Sequence, residues 1–167
     1  MNAMTIAMKT EMDAIAFYRE AAQRTGNPLG KKMFLSIVRD EQSHLEDFRR
    51  IVDRLHLRVG NGGRGTKKMK SVFDAGSDAL MGQIRAATDE MEVFKLAIQM
   101  EKERIIFYEY LSRRAKTSRE KTLFKRLFKE EQRHYAEFSN AYFFLSNAHN
   151  WFMWEEHSIA DGGTPWA

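Results

Sequence analysis

Two short stretches of this 167-residue chain carry the same pair of chemically capable side chains. In DEQSHLEDF, Glu41 is followed three residues later by His44; in EEQRHYAEF, Glu131 is followed three residues later by His134. That spacing puts carboxylate and imidazole on one face of a helix, a turn apart. Thirty residues before each pair stands a further glutamate, Glu11 and Glu101, each with a tyrosine seven positions on, Tyr18 and Tyr108. Carboxylates and imidazoles in combination suit iron or manganese.

All four glutamates lie on apolar stripes. Glu11 shares its face with Ala7, Ala14, Ile15 and Tyr18, and Glu41 with Phe34, Ile37, Val38, Leu45 and Phe48. Glu101 sits with Ala97, Ile98, Ile105 and Tyr108, and Glu131 with Phe124, Leu127, Phe128, Tyr135 and Phe138. Such stripes face a core. An ionised carboxylate buried without compensation costs several kcal/mol or more. Two divalent cations would balance four carboxylates, so the pattern points to a dinuclear site. One Glu-x-x-His is a weak signal, common in surface pairs. Two of them, each preceded by a glutamate at the same distance, are a strong one.

Four helices must position these residues. At an offset of 90, Glu11, Ile15, Phe17, Tyr18 and Arg24 recur as Glu101, Ile105, Phe107, Tyr108 and Arg114. Lys31, Phe34, Glu41, Gln42, His44 and Phe48 recur as Lys121, Phe124, Glu131, Gln132, His134 and Phe138. The chain therefore reads as two duplicated helical hairpins, 5–55 and 88–149, joined by a long crossover, 56–87. The first helix starts after Thr5 and fades by Thr25. Asn27 as N-cap and Pro28 at the first helical position open the second, which runs to about Leu55. Thr88 followed by Asp89 and Glu90 starts the third, which ends near Ala115. Thr117 or Ser118 caps the fourth, which is expected to end near His149. In the crossover, GNGGRGTKK lacks the spacing of a phosphate-binding loop, and a short helix is expected near 71–83. The bundle occupies 1–150, and the aromatic tail 151–167 is expected to pack Trp151 and Trp154 on it.

Composition bounds the chemistry. No cysteine is present, which excludes disulfides, thiolate zinc and Fe–S centres in this chain. The net charge of +4 carries no aromatic–basic interleaving, which argues against a nucleic-acid platform. No apolar run reaches the roughly 18 residues of a membrane span. The N-terminus is interrupted by Lys9, Glu11 and Asp13 and does not read as a signal peptide. A soluble, cytoplasmic protein is expected. His56, His149 and His157 have no partner at ligand spacing, and the methionines read as core filler.

EMDAIAFYREAA and EKERIIFYEYLS resemble the first and third helices of the rubrerythrin-like branch of the ferritin-like superfamily; IVRDEQSHLEDF and LFKEEQRHYAEF resemble its second and fourth. The resemblance covers about residues 5–150. It implies an all-α, ferritin-like four-helix bundle holding a carboxylate-bridged pair of iron ions, with manganese or zinc as substitutes. It implies Glu11, Glu41, His44, Glu101, Glu131 and His134 as ligands, with Glu41 and Glu131 bridging. It also implies second contacts across the hairpins, Asp40 to His134 and Glu130 to His44. Tyr18 and Tyr108 either hydrogen-bond ligand carboxylates or are ordinary core residues.

The implied activity is an oxidoreductase of the oxidative-stress kind, reducing hydrogen peroxide or dioxygen, and the implied assembly is a homodimer. A non-catalytic metal carrier, sensor or assembly module is the alternative, and iron storage a third reading. Two departures stand out. The family places a seventh ligand, a glutamate, three residues after the third-helix glutamate, where this chain has Arg104. Its cysteine-bound iron domain is missing, so electrons must come from a separate protein or from Fe(II). On four carboxylates alone, like-charge repulsion predicts that replacing Glu41 and Glu131 together by Gln raises the melting temperature of the metal-free protein.

Overall fold

A computed structural model of the protein describes residues 3–54, 77–87 and 89–160, with side chains placed for 3–52, 82–87 and 89–147. Five helices appear among them: α1 (Ala3–Arg24), α2 (Pro28–Arg54), α3 (Ser77–Ala86), α4 (Glu90–Arg114) and α5 (Ser118–Ala160). No strand occurs among the described residues.

Local chemistry sets the helix starts. Asn27 Oδ1 accepts hydrogen bonds from the backbone N–H groups of Leu29 at 2.8 Å and Gly30 at 3.4 Å, and Pro28 follows at the first helical position. Asp89 caps α4 by accepting from Met91 N at 2.7 Å. Glu90 and Glu92 then lie at the positive end of the helix dipole, and Arg113 and Arg114 at the negative end. At α5, Thr117 Oγ1 accepts from Glu120 N at 3.2 Å, while Glu120 Oε2 reaches back to Lys116 N and Thr117 N. That reciprocal exchange is a capping box.

α1 pairs with α2 and α4 with α5; α1 also faces α4, and α2 faces α5. The result is a bundle of four long helices, with α3 packed on α1 and α4 through Ile84. Gly30 matters here. A Cβ on it would meet Thr25 Cγ2 at 2.8 Å and Glu90 Oε1 at 3.0 Å, so glycine lets the start of α2 approach the start of α4.

The core has two apolar clusters. One contains Phe34, Phe94 and Phe138 around Tyr18; the other contains Phe48, Phe107 and Phe124 around Tyr108. Each fully buried phenylalanine stabilises the fold by roughly 1.5–3 kcal/mol through area removed from water. Along the helices, Ala7 and Ala14 flank Glu11 and belong to different clusters, as do Leu127 and Phe138 on either side of Glu131. The polar centre is thus sealed above and below by aromatic layers.

Three boundaries differ from the sequence expectation. The short crossover helix is described over Ser77–Ala86 and so runs past the expected end at 83, while 71–76 lie outside the described residues. α1 begins at Ala3, ahead of Thr5. α5 runs to Ala160 rather than ending near His149, because no glycine or proline falls between Ser118 and Ala160 to stop it. Residues 151–160 of the expected tail therefore continue the helix. The Gly-rich loop, Thr88 and the packing of Trp151 and Trp154 lie outside the described residues and side chains.

Candidate metal centre

The six candidate ligands converge from four helices. Glu11 comes from α1, Glu41 and His44 from α2, Glu101 from α4, and Glu131 and His134 from α5. His44 is 4% exposed and the other five are fully buried. Two donor groups form, Glu11–Glu41–His44–Glu131 and Glu41–Glu101–Glu131–His134, each with ligand atoms within 4.8 Å of one another. Glu41 and Glu131 are common to both, as expected of a bridging pair. The imidazole rings face each other with centroids 6.4 Å apart.

Outer contacts cross between the hairpins. His44 Nε2 lies 2.5 Å from Glu130 Oε2, and His134 Nε2 lies 3.3 Å from Asp40 Oδ2. Such contacts fix the tautomer and orientation of an imidazole. Arg133 also reaches Asp40 at 2.9 Å, and Arg126 contacts Asp47. The tyrosines take the hydrogen-bonding role. Tyr18 Oη of α1 donates to Glu101 of α4, and Tyr108 Oη of α4 donates to Glu11 of α1. Burial holds both phenols well above their ordinary pKa, so they stay protonated donors.

Arg104 is the residue the sequence reading placed least well. Its side chain is fully buried among the carboxylates. Nη1 donates to Glu41 Oε1 and Nη2 to Glu41 Oε2, both at 2.6 Å. Nη2 also donates to Glu11 at 3.0 and 3.1 Å, and approaches Glu131 Oε1 at 2.9 Å as an ion pair without hydrogen-bond geometry. Nη1 lies 3.6 Å from Glu101 Oε2. The signal was present: Ala97, Glu101, Arg104 and Tyr108 fall on one helical face. At the offset of 90, the matching position in the first hairpin is Ala14, also fully buried, so the guanidinium enters from one side only.

The guanidinium splits the electrostatics. Burial pushes Glu41 up, but the charge and hydrogen bonds of Arg104 overcome this and hold its carboxyl well below the usual range. Burial raises Glu11 against the pull of Arg104. Burial, then repulsion from Glu131, raises Glu101 well above the usual range. Glu131 is pushed up to about 8, first by burial and then by Glu41 and Glu11, against the pull of Arg104. Burial lowers His44, yet its contacts with Glu11, Glu130 and Glu41 outweigh that and keep it protonated.

The fit to a metal pair differs between the two halves. Glu101 Oε2 and Glu131 Oε1 are buried without a hydrogen-bond partner. Both face Arg104, at 3.6 and 2.9 Å, while Glu131 Oε2, Glu41 Oε1 and Glu101 Oε1 lie 3.3–3.7 Å from His134 Nδ1, a carboxylate–imidazole set that suits a cation. The Glu11–His44 half already has one in Arg104, so two ions do not fit beside the guanidinium. A four-helix bundle with twin carboxylate–histidine donor groups defines the class of protein. The comparisons are specific: the Rubrerythrin family model matches residues 2–142, and the chain belongs to that family, with its ferritin-like helical bundle. No curated protein matches the sequence. One similar solved structure is a hypothetical protein from Pyrococcus furiosus, 18% identical, covering 87% of this chain and 89% of that one with a TM-score of 0.64. At that identity the likeness speaks for the fold. None of the described helices is long and apolar enough to cross a membrane.

Proposed function

We propose that the protein is a metal-dependent oxidoreductase that reduces hydrogen peroxide or dioxygen at its buried carboxylate–histidine centre. The observation that carries this reading is the set of fully buried glutamates, Glu41, Glu101 and Glu131, gathered around His134. Glu41, Glu101, Glu131 and His134 would hold a redox ion, iron or manganese, that would supply electrons to the oxidant, whereas zinc would occupy the same ligands without redox chemistry. The residues around it do the rest. Glu41, Glu101 and Glu131 offset the charge, His134 is oriented by Asp40, and the two tyrosines fix Glu11 and Glu101.

A cavity of about 130 Å³ between α2 and α5 reaches His44 from the surface, lined by Asp40, Ser43, Asp47, Arg126, Glu130 and Arg133. Its size suits a small oxidant and its lining is polar. The aromatic layers on both sides limit leakage of reactive products. Electrons come from a separate donor protein or from Fe(II) itself, since the chain has no cysteine-bound iron of its own. A cytoplasmic location and a homodimer complete the proposal.

The first prediction tests turnover. Anaerobic Fe(II)-loaded protein mixed with peroxide in a stopped-flow instrument should oxidise about ten-fold or more faster than free Fe(II) under the same conditions, a modest demand on an enzyme site. No acceleration by either oxidant contradicts the enzyme reading. Arg104 at the centre favours the second reading, a metal carrier, sensor or assembly module, and bound metal without turnover would select it.

A further inference from the structure

The centre has two halves that a duplicated sequence makes alike, and one residue makes them unlike. In the Glu11–Glu41–His44–Glu131 half, Arg104 Nη2 lies within 3.1 Å of all three carboxylates. His44 Nδ1 closes the rest, 3.0 Å from Glu11 Oε2 and 2.9 Å from Glu41 Oε2. These contacts are those of a filled site: the guanidinium nitrogen stands where a cation would have to bind.

The Glu41–Glu101–Glu131–His134 half is different. His134 Nδ1 lies 3.3 Å from Glu131 Oε2, 3.5 Å from Glu41 Oε1 and 3.7 Å from Glu101 Oε1. Donor atoms around one small cation with bonds of about 2.1 Å stand roughly 3.0–3.4 Å apart, so little adjustment is needed. The carboxylate oxygens turned toward His134 are Glu131 Oε2 and Glu101 Oε1, while the other oxygens of these two residues, Glu131 Oε1 and Glu101 Oε2, face Arg104 at 2.9 and 3.6 Å. Charge agrees: two divalent ions already match four carboxylates, so the buried guanidinium supplies positive charge that a second ion would otherwise bring.

We propose that Arg104 stands in for one metal ion. The guanidinium fills the Glu11–His44 half, and the protein takes a single ion held by Glu41, Glu101, Glu131 and His134. This rests on the reading that the centre binds metal, and it replaces the expected pair by one ion and one arginine.

The test is an anaerobic titration of the full-length, chelator-treated protein with Mn(II), counting bound ion by equilibrium dialysis and recording its electron paramagnetic resonance. One ion per chain with a mononuclear spectrum is expected. Two ions with a spin-coupled spectrum overturn the inference and leave the metal-binding reading standing; no bound ion overturns both. His134→Ala should weaken Mn(II) binding at least about ten-fold, and His44→Ala by much less; the reverse order overturns the assignment. Arg104→Glu should admit a second ion. If that variant does not fold, Arg104→Gln is measured instead with the same expectation. A folded Arg104 variant that still binds one ion shows that the arginine is not what excludes the second.

Discussion

Replacing Arg104 by methionine in the metal-free protein should lower the unfolding free energy by about 3–5 kcal/mol, the loss typical of removing one partner from a buried charge network. At 2–4 °C per kcal/mol for a chain of this size, the melting temperature should fall on the order of 10 °C. The cause is specific. Arg104 is fully buried and grips both oxygens of Glu41 while contacting Glu11 and Glu131. Methionine keeps much of the volume and removes the charge, so the carboxylates must take up protons or repel one another. Glu41→Gln attacks the same network from the other side and should destabilise too. That reverses the expectation from four carboxylates alone, in which Gln at 41 and 131 relieved strain: Glu41 is held ionised by Arg104 and is its main partner. Thermal melts in chelator are the measurement, and a methionine variant melting at or above wild type would remove Arg104 from its role as compensating cation.

The second large effect is on pH dependence. Glu131 is pushed up to about 8 from an ordinary 4.5. The folded state therefore holds this proton more tightly than the unfolded state does. The resulting stability is fully present below pH 4.5 and is lost as pH rises through about 8. Glu101 and Glu11, also raised, act in the same direction, and raised His44 adds to the decline above 6.5. Glu41 and Glu130, held low, act only below 4.5. The metal-free protein should accordingly melt lower at pH 8.5 than at pH 5.5, by a margin on the order of a few kcal/mol in stability. Added Mn(II) should reverse the trend. It takes the place of protons, so the melting increment it confers should grow with pH. Glu131→Gln mimics the protonated acid and should flatten the metal-free profile. A metal-free melting temperature that is flat or rising across this range would contradict the assignment of raised carboxylates.

The helices and the meeting of the six residues were legible because both follow from short-range spacing. Glu at i and His at i+3 share a face whatever the partners are, and apolar stripes say which face turns inward. Asn27 and Pro28 announced α2, and a cap at Thr117 or Ser118 announced α5, where the structure uses Thr117. The role of Arg104 was not legible in the same way. Arginine on an apolar stripe reads locally as a departure from a ligand pattern. Only the convergence of four helices shows that its guanidinium reaches three carboxylates from other helices, at 2.6–3.1 Å. The run of α5 past His149 was hidden for a related reason. Asn147, His149 and Asn150 are weak helix formers, but weak formers do not stop a helix that lacks a glycine or proline.

The central claim is that one cation and one guanidinium share the buried centre, and anomalous diffraction from a crystal of the Mn(II)-loaded protein tests it most directly. The account predicts a single anomalous peak per chain, bonded to Glu41, Glu101, Glu131 and His134, with Arg104 still paired to Glu41 and Glu11. Two peaks flanking Glu41 and Glu131 with Arg104 displaced, or a peak bonded to Glu11 and His44 instead, would contradict it.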